Sequence, residues 1–171
     1  MSAIAPRTFL VAAILPALDL LPTNMTSAEA KAMLLAIALQ ETALKARRQE
    51  VYSQTKKAWV DGPARSYWQF ELVGLAGVLR HPATQPHAAR FASALGYADA
   101  TPPELLDIMV YDSVLAAGMA RLNLYWDAQP LPTRSAGPEP AYDYYDRTWN
   151  PGRKRPLDWP PNWRLAWDTV A

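Results

Sequence analysis

The chain has no cysteine, which excludes disulfide scaffolds, thiolate metal sites and cysteine nucleophiles. His81 and His87 are its only histidines, too few for a histidine-rich metal centre or a histidine relay. No charge of one sign dominates: 17 Lys and Arg stand against 16 Asp and Glu, so electrostatics give no case for a nucleic-acid partner. No apolar run approaches the roughly 18 residues needed to span a bilayer. Arg7 precedes a short apolar run over residues 9–15, but Pro16 and Asp19 interrupt it, and no Ala-x-Ala site follows. The expectation is a short helix packed on the main body rather than a signal segment or membrane anchor. Phosphate loops, dinucleotide fingerprints and metal-ligand spacings are missing, so neither cofactor nor metal is expected. Glycine is scarce at seven, against sixteen prolines, seven tryptophans and eight tyrosines.

The length of 171 residues and the 50% apolar content suit one domain with a real core. Thr26-Ser27-Ala28-Glu29 is a capping-box pattern that opens a helix. Its next stretch, residues 32–39 (AMLLAIAL), is apolar on every face, as befits a central helix. The pattern continues into the basic residues 45–48, which suit a last helical turn. Asp61-Gly62-Pro63 reads as a turn, residues 71–80 as a short helix, and Pro86 as the first turn of another that ends near Gly96. Thr101-Pro102-Pro103-Glu104 is a second capping box. Beyond it, Leu105, Ile108, Leu115, Met119 and Leu122 predict one helix to about Trp126. No segment alternates with period two, so the predicted fold is all-α.

Half of the prolines and four of the tryptophans follow Trp126. The expectation is a helical domain over residues 1–126 and, over 127–171, an irregular Pro/Trp-rich arm ending in a short helix from about Pro161. Its tryptophans would lay the arm on the domain or on a partner subunit, because each ring left in water exposes a large apolar area.

Glu41 is the leading candidate for chemistry. It falls on the stripe of Ala30, Met33, Leu34, Ile37 and Leu44, where burial would raise its pKa and fit it to protonate a leaving oxygen. A structural pairing with Arg47, Arg48 or Arg65 is the plainer reading. Asp112 lies on the stripe of the later helix, either as a bonded interior acid or as a second carboxylate facing Glu41. Glu71 reads as a helix N-terminal residue and Arg153-Lys154-Arg155 as a solvated loop.

Residues 37–42 (IALQET), followed about twenty residues later by 62–70 (GPARSYWQF), resemble the motifs of the lysozyme-like soluble lytic transglycosylase family. In that family a helix ends in Glu-Ser and a Gly-Ala-x-Gly-Leu-Met-Gln segment follows. The resemblance implies a mostly helical lysozyme-like domain that cleaves the β-1,4 MurNAc–GlcNAc bond of peptidoglycan glycan strands. It makes Glu41 the catalytic acid and Gln69 the motif glutamine, with Thr42 beside them for substrate. Tyr67, Trp68 and Phe70, the aromatic neighbours of Gln69, read either as core or as rings that stack on sugar faces. Thr42 stands where the family has Ser, Ser66 where it has Gly, and its later Tyr-Asn-Ala-Gly segment has no counterpart. The order QET, RRQ, GPARSYWQFE, ARLNL and WNPGRK also resembles a phage-encoded group. That likeness implies a virion or a host periplasm or cell-wall location, with other virion subunits as partners through the arm. A non-catalytic virion structural protein is the alternative.

Overall fold

The computed structural model describes residues 3–171. The chain opens with α1 (Pro6–Phe9), a π-helical turn (Leu10–Ile14) and α2 (Leu15–Asp19). Pro16 has no N–H to donate, and the wider π turn ends with Leu15 N donating to the Leu10 carbonyl, five residues back. This segment buries Phe9, Leu10, Ile14 and Leu18.

Next comes α3 (Ala28–Thr42), whose N-cap is Ser27: its side chain accepts from Ala30 N at 3.1 Å. Thr26, the first residue of the predicted box, instead donates to the Leu18 carbonyl. Residues 32–38 of α3 are fully buried, as an all-round apolar helix requires. It stops at Thr42, with Ala43 in the left-handed region at φ 51°, so the basic residues 45–48 lie beyond its last turn.

The all-α expectation is overturned by a two-stranded antiparallel sheet of β1 (Arg48–Ser53) and β2 (Ala58–Arg65), which makes the fold mixed though mainly helical. Asp61-Gly62-Pro63, read as a turn, lies inside β2. The strands alternate in burial but not in hydropathy, because Trp59 points outward and Gly62 inward. A bulge lies between Arg48 and Glu50, and Gly62 admits the displaced Gln49: a Cβ there would sit 2.3 Å from its Oε1. Pro63 is tolerated because β2 has only one partner strand.

Helices α4 (Leu72–Arg80) and α5 (Gln85–Ala94) follow. The predicted helix over 101–126 is broken in two, α6 (Pro102–Ile108) and α7 (Ser113–Tyr125). Thr101 and Glu104 form the capping box of α6, and Asp112 caps α7 by accepting from Leu115 N at 2.8 Å. A capping aspartate needs extended backbone, which the Asp112 ψ of 94° supplies and a continuous helix forbids.

The segment expected to be an irregular arm holds two full helices, α8 (Pro138–Trp149) and α9 (Trp159–Val170). Their prolines sit in first turns, where no intrahelical donor is lost. Trp159, Trp163 and Trp167, four residues apart, put one buried stripe on α9. Helix α9 packs along α3, and Trp159 stacks on Tyr145 of α8 with ring centroids 4.8 Å apart. Among the described residues, no helix is long and apolar enough to cross a membrane.

Candidate functional site

The C-terminal end of α3 is where the parts of the chain meet. Gln40 is buried and bonded at both ends of its amide: its Nε2 donates to the Arg155 carbonyl at 2.8 Å, and its Oε1 accepts from Asn162 Nδ2 at 2.9 Å. The Arg155 guanidinium donates back to the carbonyls of Gln40 and Glu41, two of the acceptors a helix leaves open at its end. The α8–α9 connection is thus clamped beside Glu41.

The segment over residues 65–70 is pinned to the same helix end. Thr42 Oγ1 donates to the carbonyls of Ala38 and Tyr67, and Trp68 Nε1 to the Leu34 carbonyl. Ser66 takes φ 67° and Gln69 φ 51°, left-handed values that cost L-residues about 1 kcal/mol or more. Ser66 does occupy a glycine-like conformation, and its Oγ offsets part of that cost by accepting from Trp68 N at 3.3 Å. Trp149 Nε1 of α8 donates to the Trp68 carbonyl at 2.9 Å.

These constraints bring Glu41 and Gln69 to one open cleft of about 820 Å³, which Phe70, Glu71, Asn123, Trp126, Trp149, Arg153 and Arg155 also line. That volume suits a ligand of several rings. Glu41 is half-buried. Its Oε1 accepts from the Tyr145 hydroxyl at 2.6 Å, and among the described residues its Oε2 has no hydrogen-bond partner. Burial pushes the Glu41 pKa up, while the Tyr145 bond and the Arg155 charge pull the other way without cancelling it. The Tyr145 phenol is pushed up by its own burial and by the carboxylate, which keeps it protonated and donating. Gln69 Nε2 is held by the Ser66 carbonyl at 2.8 Å, leaving its Oε1 as an acceptor.

Other sequence candidates lie elsewhere. Trp68 is fully buried and Tyr67 nearly so, its hydroxyl accepting from Arg47 Nε at 2.9 Å; neither lines the cleft. Both belong to the core, with Phe9 against each ring. Thr42 uses its hydroxyl on backbone carbonyls. Asp112 is not brought to Glu41: besides capping α7, it accepts from Tyr97 OH at 3.0 Å, and it lines a separate cavity with Phe9 and Arg47. Arg47, Arg48 and Arg65 do not pair with Glu41; its carboxylate is bonded by Tyr145, and Arg155 acts on it only through its nearby charge. Arg155, expected in a solvated loop, is instead bonded to the end of α3. Tyr145, Asn123 and Trp149 escaped the sequence reading as site residues, although the spacing of Tyr142, Tyr145 and Trp149 by three and four was a helical signal in the supposed arm. Among the described residues, no three His, Asp or Glu side chains cluster as metal ligands.

A carboxyl whose pKa is raised, bonded through one oxygen and sharing an open cleft with a free amide oxygen, can when protonated deliver its proton to a bound ether or ester oxygen. No protein-family model, curated protein or solved structure matches this chain.

Proposed function

We propose that this chain cleaves the β-1,4 MurNAc–GlcNAc bond of peptidoglycan, as a lysozyme or lytic transglycosylase, with Glu41 as general acid and then base. The observation that carries this reading is the half-buried Glu41, its pKa raised, opening with Gln69 into a cleft of about 820 Å³. The Glu41 proton, on the oxygen Tyr145 leaves free, passes to the glycosidic oxygen as that bond breaks. The resulting carboxylate then takes a proton from the attacking nucleophile, either water or a hydroxyl of the same sugar. Tyr145 keeps donating to the carboxylate at that stage, when the charge needs it most. Gln69 Oε1 accepts from a sugar hydroxyl, and Trp126 and Trp149 offer ring surface in the same cleft. The likeness of the motif order to a phage-encoded group supports placement in a virion, or in the host periplasm or cell wall.

The test is turbidity clearing and muropeptide release from purified peptidoglycan by the wild type, over a range of pH and wall types. Release is expected on the acid side of the Glu41 pKa. Its complete absence sinks the reading. That result would favour a non-catalytic virion structural protein, for which the specific support is that Glu41 also ties α3 to α8 through Tyr145.

A further inference from the structure

The run Arg153-Lys154-Arg155 puts three cations side by side, and the fold neutralises only two of them. Lys154 Nζ lies 2.6 Å from Asp146 Oδ2. The Arg155 guanidinium is committed to the carbonyls of Gln40 and Glu41, with Asp158 Oδ2 3.7 Å away. Among the described residues, Arg153 has neither an ion pair nor a side-chain hydrogen bond, and it lines the cleft of Glu41 and Gln69, which Lys154 does not. It stands on the connection between α8 and α9, which is anchored on either side by Trp149 and by the Gln40 clamp. Arg153 is exposed, and its unpaired guanidinium at the wall of the cleft is a fork of donors that suits planar oxyanions. The cleft's other acid besides Glu41 is Glu71, an exposed residue at the start of α4 that forms no ion pair among the described residues.

We infer that Arg153 is a specificity-determining residue that binds a carboxylate carried by the substrate, so that the cleft takes an acidic glycan in preference to a neutral one of the same length. This inference rests on the glycan-cleaving reading above and adds to it the charge of the substrate. The carboxylate accepts two parallel hydrogen bonds from the guanidinium, and the pair strengthens where the bound sugar excludes water. Among the described residues no side chain pairs with Arg153, so binding breaks none of the pairs they form.

The experiment compares the full-length wild type, Arg153→Gln and Arg153→Lys on two polymers. One is phosphate-free purified peptidoglycan with its carboxylates intact; the other is the same material with those carboxylates amidated. Binding by sedimentation and the KM and kcat for muropeptide release are both read. For Arg153→Gln, KM on the intact polymer rises about three- to tenfold with kcat kept, as for loss of a partly exposed charged pair. On the amidated polymer wild type and Arg153→Gln coincide, and Arg153→Lys falls between them on the intact one. An equal change on both polymers, or no change on either, overturns the proposal. Wild-type binding without cleavage, still lost on amidation and in Arg153→Gln, upholds the subsite and overturns the cleavage reading. Wild-type failure to bind either polymer overturns both.

Discussion

Replacing Tyr145 by Phe removes one hydroxyl from the α3–α8 junction and leaves the ring stacked on Trp159 at 4.8 Å. The lost bond is short, 2.6 Å, and its acceptor is Glu41 Oε1. With Glu41 protonated it is a neutral bond worth about 1 kcal/mol; with Glu41 ionised it is charge-assisted and worth about 1.5–3 kcal/mol. In a chain of this size each kcal/mol corresponds to about 2–4 °C in Tm. The variant should therefore melt a few degrees lower in acid and roughly twice as far below the wild type in alkali. Its effect on the proton is more diagnostic. The Tyr145 bond holds the Glu41 pKa down against burial, so its loss raises that pKa further. A general acid works while protonated, so the alkaline limb of the rate–pH profile should move to higher pH. Thermal melts at several pH values and a profile of muropeptide release read both effects. A Tyr145→Phe protein with unchanged melting at every pH, or with its alkaline limb moved to lower pH, would refute the reasoning.

Because the folded-state pKa of Glu41 lies above its unfolded value, the native state holds the proton more tightly. Wild-type stability should then fall, relative to Glu41→Gln, as pH rises from the unfolded value through the folded one; parallel stability curves would contradict this. Gly118→Ala places a methyl 2.1 Å from Phe91 Cζ, between α7 and α5, and should cost about 1–3 kcal/mol in chemical denaturation; an unchanged midpoint would argue against that packing. Trp159→Ala, at a fully buried ring, should cost about 3–5 kcal/mol, whereas Trp59→Ala, at a ring 69% exposed, should stay within about 0.5 kcal/mol; equal losses in the two would falsify the placement of α9.

The buried helix was legible because its signal is local and redundant: a serine cap and eight consecutive apolar residues leave no surface face. The hairpin was illegible because its pattern is inverted. Trp59 and Tyr52 pack edge to face on an exposed side, and the inward positions include a glycine, so hydropathy does not alternate where burial does. Proline density hid α8, while α9 was legible only as a short helix from about Pro161; the prolines of both fall at the one part of a helix that accepts them. At the site, Glu41 and Gln69 could be read from residue type and order. The pairing of Glu41 with Tyr145, 104 positions away, could not, because nothing local in either segment specifies the other. Asp112 looked like a second inward acid only while its helix was taken as continuous; as a cap its oxygens are spent on Leu115 and Tyr97.

The central claim is that the Glu41 proton performs chemistry on a glycan. The direct measurement is the rate of muropeptide release from purified peptidoglycan by Glu41→Gln relative to wild type, with folding checked in both by thermal melting. Glutamine keeps the acceptor for Tyr145 and removes the titratable proton. A loss of about 10²–10⁴-fold with the fold intact is the predicted result. Equal release by the two proteins would contradict it.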